Sequence, residues 1–334
     1  MVFRWAGLAR AGVIWIVENG SVVGRHFLTH ERSHDDHHSL DQTRHRPRHP
    51  RQRVPPPTYP TVTGHDRQDH MRIRILGPLS VVKGTAEVAP TAPKQRQVLA
   101  LLLLNANRVV TMPQMVWELW AYRPPATAVG VVHVYVMQLR RSLGSFGSAR
   151  LTTHEHGYQM DVRSEELDLD VFSARVHSAR VALTRNELMI ASQQLHAALD
   201  LWRADVLVDV DAGPILAAAV DRIERRRLDV VRERIRVDLR LGLHHQLIGE
   251  LSGLVRRHPA DERLVGLLML ALYRSGRRTG AIGAFQTLRA ALAEEHGVSP
   301  SNPLRQLYVD ILSADRRLEL APPLETRLSL DLVT

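Results

Sequence analysis

The chain has 334 residues, of which 44% are hydrophobic, so it is long enough for about two or three domains with packed cores. It contains no cysteine, which excludes disulfide scaffolds, thiol catalysis and cysteine-ligated zinc. No apolar run reaches the roughly 18 residues of a membrane span, and aromatic residues, at 5%, are too scarce for platforms that stack single-stranded nucleic acid.

Positive charge is concentrated in the middle of the chain. The formal net charge is +9, of which residues 71–162 carry +6, residues 1–70 carry +3 and residues 163–334 carry none. Clustered positive charge is typical of a protein that binds a polyanion such as nucleic acid. The neutral C-terminal half is therefore expected to have a different role.

Residues 1–70 are predicted to be a disordered extension, or a segment that precedes the true start of translation. Their first part is mildly apolar, but Glu18 and Asn19 argue against a signal-peptide cleavage site. Residues 30–70 are rich in His, Arg, Pro and Asp and bury too little apolar surface to offset chain entropy. Residues 34–38 contain metal-binding side-chain types, but their composition favours a solvated arm.

A regular pattern of elements begins at Met71. Alternating apolar residues predict three short strands, at 72–76, 79–82 and 86–88. Three helices are predicted next, over about 93–105, 111–123 and 126–143. The second begins at the N-cap Thr111, with Gln114 three residues later in a capping-box pattern. Gly144 is expected to end the third helix.

A predicted hairpin follows the third helix. Its strands are 151–153 and 158–160, and Gly157 is expected in the turn. Strands, three helices and a hairpin occur in this order in a winged helix-turn-helix. In such a fold the third helix enters the major groove of DNA and the hairpin forms the wing.

Several stretches resemble, in order along the chain, the AfsR/SARP family of transcriptional activators (Streptomyces antibiotic regulatory proteins). They are the opening strand at 71–79, the first helix and the segment after it at 93–97 and 104–110, the recognition helix at 134–136 and 139–143, and Gly157-Tyr158 in the wing. The resemblance covers about residues 71–320. It implies an OmpR-like winged-helix DNA-binding domain at 71–163, a bacterial transcriptional activation domain at 168–320 and a tail at 321–334.

The C-terminal half is predicted to be helical almost throughout. Candidate helices lie near 168–183, 188–202, 215–244, 246–257, 262–275, 279–295 and 303–314. Ala281, Phe285 and Leu288 have the spacing of a tetratricopeptide second helix, and residues 263–277 resemble the family's activation domain. The expected fold class is mainly α with a small β component, an OmpR-like winged helix followed by an all-α tetratricopeptide-like domain.

The third helix has two predicted faces at 100° per residue. Val132, Val136, Leu139 and Leu143 are expected to face the core. The outer face contains Thr127, Gly130, Val134, Met137, Gln138 and Arg141, with His133 and Arg140 at its edge. Arginines suit phosphate or guanine, Gln138 suits adenine, and Val134 and Met137 suit thymine methyl groups. Plain helix packing and solvated charge are the alternatives for these apolar residues and arginines.

Four further residues are predicted to contact DNA. Lys94 and Arg96 open the first helix, where a helix N-terminus next to basic side chains suits phosphate. Simple surface charge is the alternative for both. His154 and His156 lie at the predicted wing tip. They do not have the spacing of a helical His-Glu-x-x-His metal site, so no metal is expected there.

This helix departs from the family pattern. Family members commonly carry Arg-Asn-Thr where Val129-Gly130-Val131 stand, and Ser-Arg at Met137-Gln138. The departure leaves the fold intact but alters the expected operator sequence and affinity.

The sequence therefore predicts a cytoplasmic, nucleoid-associated transcriptional activator, and the family resemblance implies that its target is a secondary-metabolite (antibiotic) gene cluster. The family resemblance implies its partners, which are double-stranded promoter DNA with direct repeats, RNA polymerase with its sigma factor, and a second copy of the chain on DNA. No enzymatic motif, cofactor, metal or membrane contact is expected. The alternative is a helical protein-interaction scaffold with lost or altered DNA binding.

Overall fold

The computed structural model describes residues 71–319 and two earlier strands, β1 (Val13–Glu18) and β2 (Ser21–His26). The chain divides into two compact units, Met1–Pro60 and Thr61–Thr334. In the first unit, β1 and β2 form an antiparallel hairpin that pairs Val17 with Val22. The predictions for the rest of residues 1–70, including the 34–38 cluster, and for the tail at 321–334 lie outside the described residues.

The β1–β2 hairpin was not among the predicted elements. Its two strands are rich in β-branched residues, and Asn19-Gly20 connects them. Asn-Gly between two such runs is a strong hairpin signal, because both residues tolerate the positive φ angles of a type I′ turn. Asn19-Gly20 between these runs is thus a hairpin signal that can be read from the sequence alone.

A small antiparallel sheet begins the second unit. Its strands, in the order β3 (Met71–Arg74), β4 (Ser80–Lys83) and β5 (Ala86–Glu87), match the three predicted strands. Ile73 pairs with Val81, and both side chains are buried. This sheet closes one side of the hydrophobic core.

Three helices form the centre of the winged-helix fold, as predicted. They are α1 (Pro93–Leu104), α2 (Met112–Trp120) and α3 (Ala128–Ser142), with strand β6 (Val110–Thr111) before α2. Every residue of α1 from Gln97 to Leu103 is buried. The capping box of Thr111 and Gln114 is present and fixes the start of α2.

A short helix that was not predicted follows α3. Gly144 has a positive φ of 59° and ends α3 as expected, but α4 (Gly144–Arg150) begins at the same residue. Glycine and serine make up most of α4 and disfavour a helix. Burial of Phe146 against the core overrides that propensity.

The wing is the hairpin of β7 (Leu151–His154) and β8 (Gly157–Met160), and β8 lies between β6 and β7 in the sheet. Gly157 is the first residue of a strand and not a turn residue, contrary to the prediction. A Cβ atom there would lie 2.0 Å from the carbonyl oxygen of Val110. Glycine is therefore required for close approach of β8 to β6.

In the described part of the C-terminal half there are seven α-helices, close to the seven predicted, followed by a short 3₁₀ helix at Arg316–Leu318. The α-helices are α5 (Asp168–Thr184), α6 (Leu188–Leu199), α7 (Pro214–Arg240), α8 (His244–Arg257), α9 (Glu262–Arg274), α10 (Arg278–His296) and α11 (Asn302–Leu312). Successive helices pack as hairpins, and the predicted packing residues Ala281, Phe285 and Leu288 are buried. Helix α7 ends before its predicted limit because the chain turns at Gly242, whose φ is 84°.

None of the helices in the described part of the chain combines the length and the apolar character needed to cross a bilayer.

Candidate nucleic-acid interface

Helix α3 separates its side chains into two faces, largely as the sequence predicts. Val132, Val136, Leu139 and Leu143 are buried in the core. The side that faces away from the core exposes Thr127, Gly130, His133, Val134, Met137 and Arg141. This exposed side lies next to the wing, which is the arrangement by which a winged helix presents its recognition helix to DNA.

Gln138 occupies a different position from the one predicted. It is half-buried, and its Oε1 atom accepts a hydrogen bond of 2.8 Å from Nε2 of Gln95 on α1. A helical wheel places Gln138 on the outer face, but it contains no information about the neighbouring helix. Gln138 therefore contributes to the packing of α3 against α1.

Arg140 and Arg141 are adjacent in sequence but differ in their contacts. Arg140 donates hydrogen bonds of 3.0 and 2.7 Å to the carbonyl oxygen of Leu151 and one of 2.8 Å to Oγ1 of Thr153. It thereby fastens the wing to α3. Arg141 is exposed, and its side chain has no hydrogen-bond or ion-pair partner among the described residues.

An open cleft of about 580 Å³ lies between α3 and the wing. His133 from α3 and His154 and His156 from the wing line it, so the structure brings three predicted site residues together. His133 Nδ1 lies 2.5 Å from the hydroxyl oxygen of Tyr158. Within the described ranges no group of three or more His, Asp or Glu side chains is placed to hold a metal ion.

Lys94 and Arg96 make contacts within the protein. Lys94 Nζ donates to Oε1 of Gln97 and to the carbonyl oxygen of Leu119, both at 3.0 Å. Arg96 donates to the carbonyl oxygens of Pro90 and Leu79, both at 3.0 Å. The structure thus directs both half-buried side chains into the fold, and it does not bring them to the exposed side of α3.

Arg96 also pairs with Asp209, which lies in the helical half of the chain. Asp209 in turn accepts a hydrogen bond of 2.8 Å from the backbone nitrogen of Leu79. This ion pair could not be predicted from the sequence, because 113 positions separate the two charged residues. Arg96 therefore belongs to the contact between the winged helix and the helical half, which we call the domain junction.

Glu118 is a junction residue that the sequence analysis missed. Its carboxylate is buried and accepts hydrogen bonds of 2.6, 2.9 and 3.0 Å from the backbone nitrogens of Gly213, Ile215 and Leu216. Gln97 Nε2 donates a further bond of 3.0 Å. Helix α7 has no side-chain cap of its own at Gly213, so a carboxylate from the winged helix caps it.

Asp168 makes the reciprocal contact from the helical half. Located at the start of α5, it accepts hydrogen bonds of 3.0 Å from the backbone nitrogens of Ile75 and Leu76 after β3. Burial raises the pKa of the Asp168 carboxyl, although these hydrogen bonds and the positive charge of Arg203 act in the opposite direction. Apolar residues of both halves also share one continuous core.

Comparison with known proteins agrees with this architecture. The model of the bacterial transcriptional activator domain matches residues 167–312, and that of the C-terminal domain of transcriptional regulatory proteins matches residues 86–160. A solved structure of Mycobacterium tuberculosis EmbR in complex with a low-affinity phosphopeptide is similar, with a TM-score of 0.70 and 30% identity. The match covers 73% of this chain and 65% of that one.

Two curated regulators from Streptomyces are similar in sequence. The regulatory protein DnrI of Streptomyces peucetius is 42% identical over 261 residues, which cover 76% of this chain and 96% of DnrI. The regulatory protein AfsR of Streptomyces griseus is 34% identical over 274 residues, which cover 82% of this chain but only 27% of AfsR.

A winged helix of the OmpR type joined to a helical activation domain defines a class of transcriptional regulators. Within that class, the chain belongs to the AfsR/SARP family of activators. The predicted family and fold class are therefore confirmed.

Proposed function

We propose that this protein activates transcription of a secondary-metabolite (antibiotic) gene cluster by binding direct repeats in promoter DNA. The observation that carries the proposal is the exposed side of α3, which stands beside the wing in the segment of charge +6. Membership of a family of transcriptional activators supplies the regulatory role. The antibiotic cluster is inferred from the family's regulators of antibiotic synthesis.

Helix α3 enters the major groove, and the wing follows the adjacent phosphate backbone. The side chain of Arg141 is free of intramolecular partners among the described residues and binds phosphate or guanine. His154 and His156 at the wing contact the backbone beside it. Two copies on successive repeats bind the same side of the duplex when the repeats are about one turn, or 10–11 base pairs, apart.

The helical half contacts RNA polymerase with its sigma factor, and a second copy of the chain. Residues 163–334 have no net charge, so they have little electrostatic attraction for DNA. Stacked helical hairpins provide extended surfaces for protein partners. The hydrogen bonds that the Glu118 and Asp168 carboxylates accept from backbone nitrogens hold this half against the winged helix. The protein acts in the cytoplasm, on the nucleoid.

The experiment uses the full chain, because the domain junction makes the winged helix depend on residues of the helical half. Duplexes enriched from randomised DNA by the chain are placed upstream of a promoter and transcribed with purified polymerase. We expect enriched direct repeats and a rise in transcript that follows occupancy. Unchanged transcription at full occupancy rejects activation. The absence of any enriched duplex rejects specific DNA binding and favours the interaction scaffold.

A further inference from the structure

The exposed side of α3 contains a line of four residues. Gly130, Val134, Met137 and Arg141 follow one another at spacings of four, three and four, so they lie along one stripe parallel to the helix axis. Val134 is 44% exposed and Met137 is 55% exposed. A Cβ atom at Gly130 would have no neighbour within 4 Å, so the backbone there is accessible from outside.

Three polar residues next to this stripe make contacts within the protein. Gln138 is bonded to Gln95 on α1, and Arg140 is bonded to the wing strand β7. His133 lies against the hydroxyl of Tyr158. Along the stripe itself, the surface open to a partner consists of two apolar side chains, a glycine and one arginine.

We propose that this stripe recognises thymine through its C5 methyl group, with Val134 and Met137 as the specificity-determining residues. The inference rests on the proposed function, because it assigns the bases that the same helix reads. Among the base edges in the major groove, thymine presents the methyl group, the natural partner of an apolar side chain. Arg141, at the end of the stripe, binds a neighbouring guanine or phosphate.

Charge identifies DNA as the occupant of this apolar surface. The stripe ends in Arg141, and residues 71–162 carry a net charge of +6. A second copy of the chain packed on the same stripe would bring two such positive surfaces together. Duplex DNA satisfies the arginine and the apolar side chains at once, through its phosphates or guanines and its thymine methyls.

The size of the effect follows from the area of one methyl group. Burial of one such carbon against an apolar side chain corresponds to about a fourfold change in affinity. Deoxyuridine keeps every hydrogen-bonding group of thymine and lacks the methyl, so it isolates this contribution. The operator is expected to contain at least one thymine in each repeat whose methyl contributes in this way.

The test measures binding of the full chain to a duplex that it has enriched from randomised DNA, with each thymine replaced in turn by deoxyuridine. We expect the natural chain to lose about fourfold in affinity at one or two positions. Val134→Ala and Met137→Ala should bind the thymine duplex more weakly and lose the sensitivity at those positions. Val309→Ala removes a similarly exposed apolar side chain of α11 and should retain the full sensitivity.

Each outcome distinguishes this inference from the proposed function. If the chain binds no duplex preferentially, the proposed function fails. If it binds an enriched duplex but no deoxyuridine replacement weakens the binding, the thymine inference is wrong and the function stands. A third outcome has two parts: Val134→Ala and Met137→Ala alter self-association measured by light scattering, and both variants keep the deoxyuridine sensitivity of the natural chain. In that case a second copy of the chain occupies the stripe and the inference is overturned.

Discussion

The backbone nitrogen of Gly213 donates a 2.6 Å hydrogen bond to Oε1 of Glu118, a residue 95 positions earlier in the chain. This bond joins the end of α2 in the winged helix to the start of α7 in the helical half. The approach is so close that a Cβ atom at Gly213 would lie 1.9 Å from the carbonyl oxygen of Glu118. The orientation of the helical half relative to the recognition helix therefore depends on this contact.

Gly213→Ala is expected to destabilise the protein. The added methyl overlaps backbone atoms of Glu118, so α7 has to move away and lose its cap. Overpacking of this kind costs about 1–3 kcal/mol. Urea unfolding measures the loss. Gly283→Ala is the matched control, since its Cβ meets nothing within 4 Å and a helical glycine exchanged for alanine gains about 0.5–1 kcal/mol. Equal stabilities of the two variants would contradict the junction geometry.

Glu118→Ala is expected to lower the free energy of unfolding by about 3 kcal/mol or more. The exchange leaves the three backbone N–H groups of Gly213, Ile215 and Leu216 without their acceptor, while Gln97 keeps its bond to the backbone carbonyl oxygen of residue 118. Each buried donor without a partner costs about 1–3 kcal/mol. The control is Glu294→Ala on the exposed side of α10, which should change stability little. A loss under 1 kcal/mol at Glu118 would show that the cap is dispensable.

Asp168 is expected to make stability depend on pH. Its pKa is raised by burial, so the folded state holds the proton more tightly than the unfolded state. The stability that this carboxyl contributes is complete below its unfolded pKa, near 3.8, and is lost as pH rises through the raised folded value. Asp168→Asn removes that change.

The measurement for Asp168 is the difference in unfolding free energy between the natural chain and Asp168→Asn at several pH values. We expect the natural chain to lose stability relative to the variant as pH rises above about 4, and the difference to become constant once the carboxyl is ionised. Asp221→Asn, on the exposed surface of α7, controls for the loss of a charge. If the natural chain instead gained stability relative to Asp168→Asn as pH rises, the raised pKa of Asp168 would be contradicted.

Arg140 and Arg141 are expected to differ in their effects. Arg140→Ala removes the bonds to Leu151 and Thr153, so it should lower thermal stability and weaken binding to all duplexes alike. Arg141→Ala should leave the melting temperature unchanged and reduce the slope of log affinity against log salt by about 1 if it contacts phosphate. If it contacts guanine, preference at one base position should relax instead. A melting temperature lowered by Arg141→Ala and unchanged by Arg140→Ala would reverse these roles.

Local patterns in the sequence predicted most of the fold. The capping box at Thr111 and Gln114 and the apolar period of Val132, Val136 and Leu139 act within one helix, so they are visible without a neighbour. Helix α4 was missed because its formation depends on burial of Phe146 and not on helix propensity.

The exposure of the candidate site residues was predicted only where it follows from helix geometry. Val134, Met137 and Arg141 are exposed as expected, because the core occupies the opposite side of α3. The positions of Gln138, Lys94 and Arg96 depend on partners on other elements, such as Gln95 and Asp209. Such contacts leave no periodic signal in the chain.

The reactivity of a single thiol tests most directly whether the exposed side of α3 binds DNA. Because the natural chain has no cysteine, Met137→Cys and Val309→Cys each carry one thiol, at positions where the natural side chains are 55% and 52% exposed. The rate of alkylation is measured with and without a saturating amount of the enriched duplex. We expect DNA to slow alkylation at position 137 and to leave position 309 unchanged. An unchanged rate at position 137 in the presence of bound DNA would contradict the assignment of this surface.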